Sequence, residues 1–457
     1  MTTTVEMLTA SFGAGFGGTV LTPGAAGYDE ARVVWNGTVD SRPALIARCH
    51  STADIVAAVN ITRTAGVPLA VRAGGHSVPG YSSCENGVVI DLTAMRAVRV
   101  DADAHMAVAE PGATWADYDA ATAAHGLAST GGLISTTGVA GLTLGGGIGW
   151  LQRKYGLACD NLRGAQVVTA DGDLIEADES LLWGLRGGGG NFGIVTRFVF
   201  DVHPVSTIFG GVLMFPFERG EEVLRVFRDW AVDAPDEASM LVAVNTAPPE
   251  PFVPGDLVGR KVVVLVGCWC GELAEAASAL APLRDLGAIV DLFGPMPYTA
   301  LQGMLDAGAP YGLRNYFRGG YVADLNDDVI ATVLEHGRRM PSPMSQIHFH
   351  HMGGAVGRFG TSGSSFSGRA AGYTYNLIGT WTDPAEDDLH IAAVRAVSAA
   401  LGGLSLPGTY VNFSPDSGAD PAREAYGDEM YNRLARLKRE YDPHNLFRRN
   451  QNVRPAP

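Results

Sequence analysis

Basic residues are outnumbered: 33 Lys and Arg face 48 Asp and Glu, a formal net charge of −15 over 457 residues. Recognition of a phosphate backbone needs a concentrated basic footprint, so nucleic acid is not an expected partner. Cysteine is also scarce. Cys49, Cys84, Cys159, Cys268 and Cys270 form no CxxC pair and no zinc-ligand spacing. They read as free thiols, and no metal is expected. No run of about 18 apolar residues occurs, so no membrane span is expected. The opening MTTTVEMLTASFGAGFGG lacks the basic and apolar regions of a secretory signal. A cytoplasmic protein acting on a small molecule is the resulting expectation, with the oligomeric state left open. Repeats at solenoid or propeller periods are absent too.

Glycine is in excess: 59 of 457 residues, about 13%, against a usual ~7%. It is concentrated in loops between apolar segments, where a backbone without Cβ can approach a ligand closely. The length argues for two domains or more.

Residues 43–92 read as strand (ALIARC), helix capped by Ser51 and ended by Gly66, strand (PLAVR), the glycine loop Arg72-Ala73-Gly74-Gly75-His76-Ser77, and strand (GVVIDL). Two short strands follow in 96–110, then a helix at 114–125 and a second glycine cluster at 131–149. Residues 167–177 form a hairpin with Asp-Gly at its tip. A third cluster, RGGGGNFG, precedes the strand IVTRFVFDV. From 206 to 400, strands (GGVLMF, VVVLVG, QIHFHHM, TYNLIGTW) alternate with helices at 220–232, 272–285 and 387–401. The remainder carries TYVNF, one helix at 421–440 and YDPHNLFRRNQNVRP. The class is α+β with mixed pairing rather than a βαβ repeat.

Gly188, Gly190 and Gly193 satisfy GxGxxG literally. The dinucleotide fingerprint needs a strand before and a helix after, and here the order is reversed, so a Rossmann site is rejected. Several glycine loops within 120 residues still suit a long ligand touched at many points, and FAD is such a ligand. A lone loop histidine is ordinarily structural. At His76, after two glycines, a neutral imidazole could instead add to the electrophilic 8-methyl of an oxidised flavin.

Taken together, YDEARVVWNGTVDSRPALIARC, VRAGGHSVPGY, GGLISTTGVAGLTLGGGIGWLQRKYGLACDNL, RGGGGNFGIVTRF, TYVNF and LKREYDPHNLFRRNQN, in this order, resemble the berberine-bridge-enzyme-like FAD oxidases of the vanillyl-alcohol-oxidase/PCMH superfamily. The resemblance covers nearly the whole chain and is weakest over 206–400. It implies a PCMH-type FAD-binding domain of two α/β subdomains, formed by 1–205 and 402–457. The substrate domain implied for 206–401, an antiparallel sheet with helices, is inserted between them. It implies FAD joined to His76, with Arg72, Ala73, Gly74, Gly75 and Ser77 as the diphosphate loop. Gly112, Thr136, Thr137, Gly138, Gly141, Gly145, Gly146, Ile194, Val195, Asn412, Asn450 and Asn452 complete the cofactor set. Members with two covalent links carry a cysteine in the stretch matching 134–137. This chain has Ile134 there, so a single link is expected. The position that gates oxygen falls near Thr137, where the family usually has an aliphatic residue.

Hydride removal from a C–H beside O–H or N–H leaves a proton to be taken. Tyr410 of the Tyr-x-Asn motif is the expected acceptor, if a cation or donor depresses its phenol. Its rivals lie on QIHFHH, where Gln346, His348 and His350 share one strand face and Ile347, Phe349 and His351 the other. Three histidines could also suggest a metal, but no carboxylate stands near them in sequence. Tyr316, Tyr375 and Trp381 are expected substrate walls, with His348 and His350. The expected activity is oxidation of an alcohol, hemiacetal or amine with electrons passed to O2. A dehydrogenase using another acceptor, an enzyme forming a ring or double bond, and a non-catalytic FAD carrier remain open.

Overall fold

The computed structural model describes residues 4–13, 16–414 and 420–457. The first sheet contains β1 (Thr19–Leu21), β2 (Leu45–Arg48), β3 (Leu69–Arg72) and β4 (Val88–Asp91) in the order β1-β2-β4-β3. β2, β4 and β3 are parallel, and β1 runs antiparallel to β2. The helix Thr52–Ala65 makes the parallel crossover. It starts where Ser51 accepts a hydrogen bond from the Asp54 N–H and stops at Gly66, whose φ of 66° suits a residue without Cβ. Its Ile55, Ala58 and Val59 bury against Leu45, Leu69, Val88 and Ile90.

The second sheet is antiparallel: β5 (Val98–Asp101), β6 (Met106–Ala109), β8 (Leu162–Val168), β9 (Leu174–Glu176) and β10 (Ile194–Asp201), in the order β5-β6-β10-β8-β9. A two-stranded piece, β7 (Leu127–Ala128) with β11 (His203–Pro204), lies beside it in the chain. The core under this sheet joins Trp115, Tyr118, Phe198 and Phe200 to Val411, Tyr431, Leu434 and Val453. The last fifty residues therefore pack with residues of 107–202. The single helix expected at 421–440 is two, Pro421–Tyr426 and Asp428–Tyr441, broken at Gly427 with φ 72°.

The third sheet is built from residues 207–381: β12 (Thr207–Pro216), β13 (Ala238–Thr246), β14 (Lys261–Trp269), β15 (Val290–Asp291), β16 (Gly294–Pro297), β17 (Arg314–Val322), β18 (Gln346–His351) and β19 (Tyr373–Trp381). The order is β15-β12-β14-β13-β18-β19-β17, with β16 also on β12. β13, β17 and the helix Asp327–Arg339 are not anticipated from sequence, although that helix is amphipathic and capped by Asn326. One face is covered by the helices Gly220–Val232, Leu273–Arg284, Asp327–Arg339 and Asp387–Gly402 over a continuous apolar core. The other face looks onto the glycine loops.

All five cysteines are free, and all but Cys270 are buried. Among the described residues no group of three or more His, Cys, Asp or Glu is arranged to hold a metal, and no helix is long and apolar enough to cross a membrane.

Candidate active site

One cavity of about 980 Å³ lies where the three sheets meet, at the upper end of small-ligand sites. Residues of 73–82, 133–148, 189–198, 410–413 and 447–451 line it, together with the open face of the third sheet. Glycine shapes it in two ways. Gly74 and Gly138 let two loops touch, since a Cβ on Gly74 would lie 2.3 Å from the Gly138 nitrogen. Gly141 and Gly190 line the cavity and would aim a Cβ at nothing within 4 Å, so any side chain there would occupy ligand space.

His76 stands on this wall. Gly75, with φ 69°, turns the backbone ahead of it. Its ring stacks on Trp35 (centroids 5.3 Å apart, planes 15° apart) and meets Tyr311 edge-on at 5.5 Å. Nε2 is hydrogen-bonded to Thr136 Oγ1 at 3.1 Å, and Nδ1 lies 3.4 Å from Thr137 Oγ1. Burial pushes the imidazole down to about 4, so it is neutral at physiological pH. A neutral ring nitrogen held by neutral hydroxyls is the form that can act as a nucleophile.

Tyr410 also lines the cavity, buried to 1% exposure. Its Oη accepts hydrogen bonds from the Gly147 N–H (2.9 Å), the Ile148 N–H (3.4 Å) and Asn412 Nδ2 (2.8 Å). Three donors on one phenol oxygen favour the phenolate, yet desolvation outweighs them and the phenol is pushed up to about 12. The depressed phenol expected from the sequence is not found, because no cation reaches it.

On β18 the alternation holds. Gln346, His348 and His350 line the cavity, and His348 Nε2 is hydrogen-bonded to Gln346 Oε1 at 2.6 Å. His351 points away, bonded to Arg153 Nη1 at 2.9 Å and stacked on Tyr373. Burial depresses His348 to about 4 and His350 to about 3.

Of the other expected residues, Ala73, Gly74, Gly75, Ser77, Thr137, Gly138, Gly141, Gly145, Ile194, Val195, Asn412 and Asn450 line the cavity. Arg72 lies behind the wall, donating through Nη1 to the Ala31 carbonyl, and Thr136 reaches the site through His76. Gly146 backs Tyr410, whose ring a Cβ there would meet at 3.1 Å. Asn452 is outside the lining. Gly112 is explained by packing, because a Cβ would fall 2.0 Å from the Leu92 carbonyl oxygen.

Three substrate-wall expectations fail. Tyr375 and Trp381 are buried on the helix-covered face, and Tyr316 packs against that same core. Trp381 stacks on His390 and donates to Asp387 Oδ1 at 2.8 Å. The pleat sends their neighbours Asn315, Phe317, Asn376, Ile378 and Thr380 into the cavity instead. Those residues, with Trp35, Asn245 and Arg449, are among the cavity residues that sequence reasoning missed. The β18–β19 register sets His348 opposite Asn376 and so puts both on the cavity face, a pairing that no local sequence signal reveals.

The unpartnered polar atoms of the lining suit FAD. Ser82 Oγ and Asn450 Oδ1 line the cavity and are buried without a hydrogen-bond partner, and such groups ordinarily have one. A ligand carrying phosphates, ribityl hydroxyls and ring nitrogens supplies both donors and acceptors.

Comparison with known proteins agrees. The FAD binding domain family matches residues 43–178, and the berberine and berberine like family matches 409–454. An FAD-linked oxidoreductase of Dictyostelium discoideum is 31% identical over 92% of this chain and 91% of its own length. The (R)-6-hydroxynicotine oxidase of Paenarthrobacter nicotinovorans is 30% identical over 96% of this chain and 97% of its own. The crystal structure of 6-hydroxy-D-nicotine oxidase from Arthrobacter nicotinovorans superposes with a TM-score of 0.86 at 28% identity, covering 96% of this chain and 98% of that one. A xylooligosaccharide oxidase from Myceliophthora thermophila shares the fold, with a TM-score of 0.85 at 23% identity over 99% of each chain. Glycine-cradled cavity, unpartnered polar atoms and whole-length similarity converge: this chain belongs to the berberine-bridge-enzyme-like family of FAD-linked oxidoreductases.

Proposed function

We propose that this protein holds FAD through a single covalent bond to His76 and oxidises a small organic alcohol, hemiacetal or amine, with O2 as the electron acceptor and H2O2 as co-product. The FAD-holding unit is formed by 1–205 and 402–457, and 206–401 supplies the substrate side. The observation that carries this reading is one cavity shared by a neutral, ring-stacked His76 and a sheet face bearing two neutral histidines.

The bound FAD would supply the hydride acceptor. The chain's own residues then have four tasks. His76 anchors, with Thr136 and Thr137 orienting its ring. The backbones of 73–77 and 189–190 approach the cofactor closely. Tyr410 and Asn412 form a fixed hydrogen-bonded pair in the wall. The β18 face meets the substrate. A single link is supported because, among the described residues, no cysteine lines the cavity, and Cys159 is buried with its thiol toward Asp160.

Thr137 lines the cavity at the position the resemblance assigns to oxygen gating. It favours, as a second reading, a dehydrogenase that passes electrons to another acceptor. Peroxide release in air-saturated buffer separates the two. Acid-precipitated protein should stay yellow, and His76→Ala should release its flavin on precipitation. A flavin retained after acid in His76→Ala, or a flavin-labelled Cys159 peptide, rejects the single link.

A further inference from the structure

The third-sheet face in the cavity carries an apolar wall and a polar edge, with Asn245, Thr246, Asn315 and Thr380 as further polar lining residues. Val212, Met214, Leu241, Ala243, Val264 and Val266, from β12, β13 and β14, make an apolar wall. Gln346, His348, His350 and Asn376, from β18 and β19, make a polar edge. His348 is paired across the ladder with Asn376, which places His350 diagonal to Asn376. His350 Nε2 and Asn376 Oδ1 are both buried without a partner, on residues only 3% exposed. The only charged side chains lining the cavity, among the described residues, are Glu250 and Arg449. Glu250 is exposed, and Arg449 donates to the Ser83 and Gly80 carbonyls.

Resting on the FAD-linked oxidase reading, we propose that the substrate is an uncharged alcohol with a mainly apolar body, that its hydroxyl sits at the His350–Asn376 edge, and that His350 accepts the hydroxyl proton. An ammonium group would be buried there without a carboxylate, and a sugar would lose water from every hydroxyl laid against the six apolar side chains; both are costly. One hydroxyl, by contrast, supplies the orphaned His350 Nε2 with the donor it lacks. The bookkeeping closes. The alcohol loses hydride from carbon and a proton from oxygen, and its C–O bond becomes C=O. The two electrons go to the FAD of the family's reaction, and the proton goes to His350 Nε2. Once hydride leaves, the remainder is a protonated carbonyl, a strong acid, so even a depressed imidazole can take its proton. Tyr410 is a poorer acceptor, because its oxygen is already filled by three N–H donors.

The titratable groups near His350 are few. His348 lies 5.9 Å away between ring centroids, and Tyr410 lies beyond Phe413, whose ring is 5.5 Å from His350 and 4.7 Å from Tyr410. From the flanking strands, Leu241 and Thr374 face His350 and do not titrate.

The test is anaerobic stopped-flow reduction of the purified holoprotein by 1-phenylethanol, 1-phenylethylamine and D-glucose, with calorimetric binding of acetophenone. Only 1-phenylethanol should bleach the flavin, at a rate flat from about pH 5 to about pH 9, since His350 is neutral throughout. His350→Gln should slow that reduction by about 10²–10⁴-fold while acetophenone binding and flavin content stay within about threefold. Bleaching by the amine or by glucose but not by the alcohol overturns the substrate class. So does inertness toward all three in protein that dithionite reduces. A wild-type rate in His350→Gln overturns the proton acceptor. A rate that climbs about tenfold per pH unit does the same in wild-type protein, whether or not the variant folds, because a phenol must then be ionising. A protein purified without FAD rejects the parent reading instead, and this one with it.

Discussion

The two faces of the third sheet are made from the same strands and have opposite jobs. On β19, Tyr375 and Leu377 enter the helix-covered core, Trp381 stacks on His390 of the covering helix Asp387–Gly402, and Asn376, Ile378 and Thr380 enter the cavity. On β18, Ile347 and Phe349 go to the core, and Gln346, His348 and His350 go to the cavity. Large side chains accumulate where no ligand can reach, and amides and imidazoles accumulate where one can. The difference teaches that aromatic content alone marks packing. The informative signal is a polar residue that the strand period forces into a buried position.

If this division is right, substitutions on the packed face cost stability without touching flavin reduction. The largest effect is expected for Trp381→Ala. It removes a side chain 1% exposed, its stacking on His390 and its bond to Asp387, and should cost about 3–5 kcal/mol in chemical denaturation. The protein that remains folded should reduce at the wild-type rate. A specific loss of reduction rate with unchanged stability would show that Trp381 belongs to the site after all.

A buried polar contact ties the helix Tyr298–Gln302 to the second-sheet core. Gln302 Nε2 donates to Asp119 Oδ2 at 2.9 Å, and Asp119 Oδ1 has no partner. Burial, partly offset by Gln302, pushes the Asp119 carboxyl up to about 7. A carboxyl raised on folding disfavours the folded state once the unfolded chain has ionised. Its cost is absent below about pH 4, grows as pH rises toward about 7, and levels off above, at up to about 1.4 kcal/mol per pH unit. Asp119→Asn removes that cost. Its stability advantage over wild type should widen from about pH 4 to about pH 7 in paired denaturation curves. An advantage that is the same at every pH would mean that Asp119 does not titrate there.

The same contrast explains what the sequence made legible. The glycine loops, the single histidine at 76 and the reversed order around GxGxxG are local patterns, so they could be read directly. The split of β18 followed from its period of two. The face taken by Tyr316, Tyr375 and Trp381 could not be read, because it depends on register against β18 and on which side the helices of 220–402 cover. Neither is local. β13, with consecutive buried residues from Ala238 to Val244, has no alternation to detect because both its faces are covered. Tyr410 was legible as a motif, but its protonation was not, since burial and three donors pull its phenol in opposite directions.

The smallest effect tests the division at its weakest point. Tyr316 is only partly buried, and its neighbours Asn315 and Phe317 both line the cavity, so a slip of one residue would bring it into the site. In the observed register Tyr316 pairs with Gly379, packs against the helix-covered core, and its Oη accepts from Arg395 Nε at 3.2 Å on the exposed side. Arg395 also lies over the Tyr316 ring, 5.5 Å from its centroid, a contact that the ring of phenylalanine would keep. Tyr316→Phe therefore loses one solvent-exposed hydrogen bond and nothing else. Stability should move by less than about 0.5 kcal/mol, and flavin reduction should not change. A reduction rate lowered by about a hundredfold, the lower end of what a group acting on the reacting atoms is worth, would place the Tyr316 hydroxyl in the cavity. The register of β17 against β19, and the assignment of the two faces with it, would then have to be reversed.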